Sequence, residues 1–207
     1  MRSATLGLLA AALLLSGCAT MSASECQTVD WQTIGFEDGV AGYSGDRIGQ
    51  HRKACAKHGV SPDLVGYQRG REAGLREYCQ PANGFRVGSH GGSYAGICPA
   101  EMDAAFTAAY DSGRQLYSLE SRLSNARNQI VSKRRELERV EDSIVKTTAV
   151  IVRGETTGEA RAQALVDTKQ LAERAGRLKA EIRQLERDEV EFERDLEDYR
   201  ARVAFIG

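Results

Sequence analysis

Apolar residues in the C-terminal half of the chain recur at alternating steps of three and four, from Leu116 through Leu119, Leu123, Ala126, Ile130, Leu137, Val140 and Ile144 to Ile151, with Lys133 and Thr147 as polar members. After Gly154 to Gly158 the same alternation resumes at Ala164 and runs through Leu171, Leu178, Ile182, Phe192, Leu196 and Tyr199 to Ile206, with Glu189 inside it. A strict three-four alternation is the heptad seam of a coiled coil. Two arms of about 45 residues, each roughly 65 Å long as a helix, flank a single break. The pattern therefore predicts an antiparallel coiled-coil helical hairpin over residues 100–207 with its turn near 153–158. A turn there brings Glu189 near Arg122, and Lys133 near Leu178 with Glu181 one turn away. It also sets Phe106 and Tyr110 opposite Phe205 and Arg202 at the base. Apolar residues off the seam gather near the tip. Val145, Val150, Val152, Leu165 and Val166, with Val131 further down, are either a partner contact or a widening of the hairpin's own core.

Upstream of residue 100 the periodicity is carried by glycine. Trp31, Gly35, Gly39 and Gly42 share one face of a predicted helix, and Gly66, Gly70 and Gly74 do the same in a second helix over Asp63 to Cys79, with Pro62 at its first position after the candidate cap Ser61. Glycine in a helix interior costs up to about 1 kcal/mol against alanine, so rows of it call for close approach of two backbones or contact with an aromatic such as Trp31, Tyr43, Tyr67 or Tyr78. The run from Gly84 to Ile97, with Gly91-Gly92 inside it, predicts a short β-hairpin or an ordered loop. It lacks the Gly-Lys-Ser/Thr ending of a phosphate-binding loop.

Composition sharpens the boundary between the halves. All 3 prolines and most of the 21 glycines lie before Ala100, and beyond it the chain is rich in Glu, Arg, Leu and Ala. The fold expected is mainly α: a small, disulfide-stapled, glycine-rich helical head over 24–99 with a short hairpin or loop, then the long hairpin. Charge is balanced, 28 basic against 29 acidic residues, which gives no electrostatic footprint for nucleic acid. No nucleic-acid partner is expected.

At the N-terminus Arg2 precedes an apolar run from Leu6 to Leu15 that closes on Leu15-Ser16-Gly17-Cys18. The run is about ten residues long, short of the roughly 20 that span a bilayer. It is an export signal over 1–17. Its end resembles the lipobox of bacterial lipoproteins, and the resemblance implies cleavage before Cys18, lipidation of that residue, and a short leash over 18–23. Ala19 stands where enterobacterial lipoproteins retained at the inner membrane carry aspartate. The expected location is the periplasmic face of the outer membrane, held there through lipid on Cys18.

Cys26, Cys55, Cys79 and Cys98 remain, an even number in an oxidising compartment. Four cysteines allow three pairings; we favour Cys26 with Cys55 and Cys79 with Cys98, which close loops of about 20 to 30 residues and constrain the unfolded head by roughly 3 to 4 kcal/mol. Cys55-x2-His58 has the spacing of a metal site, but oxidation to disulfides competes with it, and neither metal nor cofactor is expected.

Three spaced motifs, Trp31-x3-Gly35-x2-Asp38-Gly39, then Asp63-x3-Tyr67-x2-Gly70-x3-Gly74-Leu75-x2-Tyr78-Cys79, then Gly88-x5-Tyr94-x-Gly96-x-Cys98-Pro99, resemble a family of small proteobacterial lipoproteins defined by a domain with no assigned function. The resemblance covers roughly 26 to 117. It implies location and a shared head fold, and no activity. With only 3 histidines, no Gly-x-Ser-x-Gly elbow and no His-Glu-x-x-His, a non-catalytic role is expected. That role is a membrane-anchored lipoprotein whose arm contacts an unidentified envelope protein or another copy of itself. The alternative is a small-ligand or cell-wall glycan module, with Trp31, Gly35, Gly39, Tyr67, Gly70, Gly74, Tyr78 and Tyr94 as packing or groove residues of the head.

Overall fold

Helix signals in the head are local and strong, and a computed structural model, which describes residues 21–204, places helices where they occur. The signal over 1–17, Cys18 with its lipidation, the start of the leash, and Phe205 and Ile206 lie outside the described residues. The elements are α1 (Ala23–Thr28), α2 (Trp31–Val40), α3 (Arg47–Ala56), α4 (Leu64–Tyr78), α5 (Pro81–Ser89), α6 (Ala100–Val152) and α7 (Gly158–Val203), with no strand among the described residues. Two compact units are present. One holds the described residues up to Val87 together with Gly92–Asp111; the other holds Gly88–Gly91 and the chain from Ser112 onward. The head thus takes the first three turns of α6 beyond the boundary expected at residue 99, because Phe106 is wholly buried in it.

α1 starts within the expected leash. Ser22 caps it, accepting from the Glu25 amide while Glu25 returns to the Ser22 amide at 2.7 Å, a reciprocal capping box. Asp30 caps α2 through the amides of Gln32 and Thr33. Asp63, rather than Ser61, caps α4, accepting from the Val65 and Gly66 amides at 3.0 and 3.1 Å. The Asp63 carboxylate takes two of the helix's free amides, so the helix starts after it and Pro62 precedes the cap.

α2 and α4 cross at backbone contact. A Cβ on Gly70 would overlap the carbonyl oxygen of Gln32, and one on Gly35 would overlap that of Tyr67, with Gly39 and Gly74 similarly placed one turn on. This is the close approach that the glycine rows predict. The disulfides bracket it: Cys26–Cys55 ties α1 to α3, and Cys79–Cys98 ties the end of α4 to the segment before α6. Trp31 and Tyr67 pack with the first bridge. Leu75 and Phe106 pack with the second, where Phe106 lies 5.4 Å from the Tyr78 ring and 4.6 Å from the Tyr94 ring.

The stretch expected as a hairpin or loop divides. Its first part is α5, opened by Pro81 at the first position, and Gly84 lies against the Phe106 carbonyl, where a side chain has no room. Close packing there outweighs the low helix propensity of the segment. The rest, residues 90–99, is an irregular loop, with Gly91 and Gly96 at φ of 74° and 66°. The Tyr110 hydroxyl donates to the Gly92 carbonyl at 3.0 Å, and Tyr94 accepts from the Cys98 amide while donating to Asp103.

In the second unit α6 and α7 form the expected hairpin, with α6 ending at Val152 and Thr157 capping α7. Val140, Ala175 and Leu178 are buried together with Leu137, Ile144 and Leu171 beside them, and Leu119, Leu123, Leu196 and Tyr199 form a second cluster. Lys133 donates to Glu181 at 2.5 Å, as the seam predicts. Glu189, however, pairs with Arg127 at 2.7 Å rather than Arg122, which instead lies 3.7 Å from Asp195. Seam positions recur every three or four residues, so the arms slide only in such steps, and they settle about one step from the register that a symmetric turn gives. Phe106 and Tyr110 pack in the head core with Tyr78 and Tyr94, while Phe205, expected opposite them, lies outside the described residues.

Candidate functional site

The head buries a charged set at the meeting of α2, α3 and α4. Asp38 shares the inward stripe of α2 with Trp31, Gly35 and Gly39, while His51 and Cys55, one turn apart, are the buried residues of α3. Asp38 and His51 are each 6% exposed and Tyr67 is 1% exposed. The Tyr67 hydroxyl donates to Asp38 Oδ2 at 2.7 Å, and His51 Nε2 lies 2.8 Å from the same oxygen. A carboxylate oxygen only accepts, so Nε2 carries the hydrogen. Arg47 Nε stands 3.9 Å from Asp38 Oδ1, an ion-pair distance beyond hydrogen-bond length. Burial, then the bond to Asp38, push the Tyr67 phenol far above its ordinary range.

This set binds three helices together. The Tyr67 and His51 hydrogens are both donated to one oxygen, and His51 Nδ1 and Arg47 Nε are buried without a hydrogen-bond partner. Beside it opens a cleft of about 430 Å³, lined by Met21, Val29, Ile34, Arg47 and the edges of Asp38 and His51. The sequence carried a signal for Asp38, which falls seven residues after Trp31 and three after Gly35 and so shares their face. His51 gave none, since its pairing depends on how α3 docks.

The aromatic residues weighed as a groove fall into separate clusters, and Tyr67 borders a cleft of about 360 Å³ with Ile48, Leu64 and Arg71. Trp31 and Tyr67 belong to the first head cluster, Tyr78 and Tyr94 to the second, and Tyr43 is exposed with the Arg47 guanidinium 4.5 Å from its ring. Core packing separates them because each disulfide gathers its own apolar shell. Cys55 is disulfide-bonded, so the Cys55-x2-His58 spacing offers no thiolate. Among the described residues no group of three or more His, Cys, Asp or Glu assembles as metal ligands.

On the arm, with the seam numbered a and d, one edge carries a ladder of e-to-e ion pairs: Glu120 with Arg200 at 2.7 Å, Arg127 with Glu193 at 2.9 Å, Arg134 with Glu186 at 2.6 Å and Glu141 with Lys179 at 2.7 Å. The next e positions toward the tip are uncharged: Thr148 on α6, and Ala172 and Leu165 on α7. The b positions flank the same edge, and Tyr117, Val131, Val145, Val152 and Val190 occupy them, all exposed. A groove on this face, lined by Ser124 and Glu197 between the Glu120 and Arg127 rungs, puts b and e on one surface. Of the sequence-predicted tip residues, Val145, Val152 and Leu165 lie here. Val166 is exposed at an f position on the outer surface, and Val150 is half-buried at g on the other edge. Val190 was missed because it stands alone among charges, far from the tip in sequence.

No helix among the described residues is long and apolar enough to cross a membrane. Neither a curated protein nor a solved structure matches the chain. Residues 30–115 match the family model described as Protein of unknown function (DUF2799), a stretch that runs from the cap of α2 to Gln115, one turn past the head's share of α6.

Proposed function

We propose that the protein is a non-catalytic lipoprotein, anchored through lipid on Cys18 at the periplasmic face of the outer membrane, whose coiled-coil arm is a protein-contact surface. The observation that carries this reading is the one-sided b and e face of the arm. Val145 at 69% exposed, Val152 at 76% and Leu165 at 55% are apolar residues outside the seam, gathered toward the tip, with Val190 at 68% further down the same face, whereas the c and g edge has no large exposed hydrophobic among the described residues. Gathering of that kind marks an interaction site. The lipobox resemblance supports the anchor, and two disulfides suit an oxidising compartment.

The test is photocrosslinking in cells from probes at Val152 and Leu165, with Arg139 at a c position as control. A product specific to the apolar face supports the arm as the working surface, and its absence there overturns it. Fractionation of a Cys18→Ser variant tests the anchor: release of the chain from the membrane fraction is expected, and unchanged membrane association refutes lipidation at that residue. A second reading, a small-ligand module, rests on the cleft beside Asp38, Arg47 and His51. It predicts that a chain lacking residues 118–205 keeps its function.

A further inference from the structure

Gly176 lies in the interior of α7, in the longest uninterrupted coiled coil of the chain, and a Cβ built on it meets nothing within 4 Å. Its neighbours within one copy therefore give no reason for a residue that weakens the helix. It occupies a b position, on the face that carries the exposed valines. On that face Gly176 precedes Lys179 by three residues as Val145 follows Glu141 by four, and Glu141 and Lys179 are one rung of the ladder. Gly176 and Val145 thus stand at one level of the hairpin. Val131 and Val190 share a level too: Val131 lies between Arg127 and Arg134 on α6, and Val190 lies between Glu186 and Glu193 on α7, which are the same two rungs.

We propose that this face binds a second copy of the chain, with the two hairpins parallel about a two-fold axis along their length, giving a four-helix bundle; the inference rests on the interaction-arm reading above. Such an axis lays α6 of one copy over α7 of the other at the same level. Val131 then meets Val190 of the second copy, twice over, and Val145 enters the space over Gly176, where the missing side chain lets a neighbour approach the backbone. The charges specify the orientation. From base to tip the ladder reads Glu120, Arg127, Arg134, Glu141 on α6 and Arg200, Glu193, Glu186, Lys179 on α7. In the parallel dimer every rung stacks opposite charges, Glu120 over Arg200 and Arg127 over Glu193. The series on α6 has the same signs read from either end. An antiparallel dimer centred on the ladder, α6 over α6, would therefore set Glu120 against Glu141 and Arg127 against Arg134, like charges at every level. Complementarity of this sort selects partner and orientation more than it adds affinity.

The test uses the full chain in detergent micelles, isotopically labelled and unlabelled copies mixed, with a benzophenone side chain at Val131, at Val145, or at Arg139 on the opposite edge as control. The expected result is a mixed-isotope covalent dimer from Val131 joined to the peptide around Val190, one from Val145 joined to the peptide around Gly176, and none from Arg139. Gly176→Leu fills the space while raising helix propensity, so it keeps the helical circular dichroism of the arm; it should weaken dimerisation in sedimentation equilibrium by roughly tenfold or more. A monomer mass throughout the micromolar range, products joined α6 to α6, or dimerisation unchanged in Gly176→Leu each overturns the proposal. The same probes in cells separate it from the broader reading. A foreign protein captured at Val131 in place of a second copy removes the dimer and leaves the interaction arm, while no product in cells or in micelles removes both.

Discussion

Asp38 is the residue whose loss the head should tolerate least. Replacing it with alanine removes the single oxygen that accepts from both the Tyr67 hydroxyl at 2.7 Å and His51 Nε2 at 2.8 Å, and leaves two buried donors without that acceptor. Each orphaned buried donor costs about 1–3 kcal/mol, so Asp38→Ala should destabilise the head by about 4 kcal/mol. In a domain of this size that lowers the melting temperature by roughly 15 °C or more. A sharper consequence concerns Tyr67→Phe. With Asp38 present it deletes a made hydrogen bond and should cost about 1 kcal/mol. With Asp38 already alanine it deletes an orphaned hydroxyl and should gain about as much, a coupling of about 2 kcal/mol between the two residues. Trp31 is the chain's 1 tryptophan, 8% exposed with its ring 6.4 Å from that of His51, so its fluorescence in a urea titration reports unfolding of the head alone. Tyr67→Phe having the same sign and size in both backgrounds, or Asp38→Ala falling within about 0.5 kcal/mol of the parent, would refute the claim that this carboxylate holds the three helices.

Two glycine substitutions should have opposite signs: Gly70→Ala, whose Cβ overlaps the Gln32 carbonyl, should destabilise the head by about 2 kcal/mol despite its better helix propensity, while Gly176→Ala, in open space, should stabilise the arm by up to about 1 kcal/mol, both measured by chemical denaturation. Burial raises the pKa of Tyr67, and likewise Tyr78 and Tyr94, above the ordinary value of 10.0. The unfolded chain then loses these protons first, so head stability should hold below about pH 10 and fall as pH rises above it; Trp31 fluorescence should show the fall, and Tyr67→Phe should lessen it. Lys179→Glu sets two carboxylates against each other at the Glu141 rung and should lower arm stability by less than about 1 kcal/mol, since both side chains are half exposed. Adding Glu141→Lys should restore it, and about 1 M salt should shrink the difference.

The elements that the sequence made legible are those whose cause is local. A seam repeating at three and four residues specifies a helix wherever it lies, and the cysteine and glycine positions carried the two bridges and the α2–α4 crossing. Pro81 opening α5 is hidden among the glycines of 84–97, because their low propensity suggests a turn; Gly84 packs there against Phe106, which lies in another predicted domain. His51 was not legible as part of the site. Its partner is thirteen residues away on a helix whose docking angle no periodicity encodes, and the same holds for Tyr67 reaching Asp38 from α4.

The hairpin register is a different case, because the sequence holds the information in positions that a seam analysis passes over. Seam residues are nearly interchangeable, so sliding α7 by a heptad leaves Leu facing Leu and Ile. The e positions are not interchangeable. In the observed register all of the Glu120, Arg127, Arg134 and Glu141 rungs meet an opposite charge. One heptad away in one direction, Glu120 meets Glu193 and Arg134 meets Lys179; in the other, Arg127 meets Arg200 and Glu141 meets Glu186. Each exposed pair contributes little alone, but the register is decided by the difference between whole ladders, in which every attraction kept is also a repulsion avoided. A heptad slip also moves Val190 off the level of Val131 and Gly176 off the level of Val145. The charges that align the two arms of one chain are thus the same ones that bring its valines to the levels where a second chain can use them.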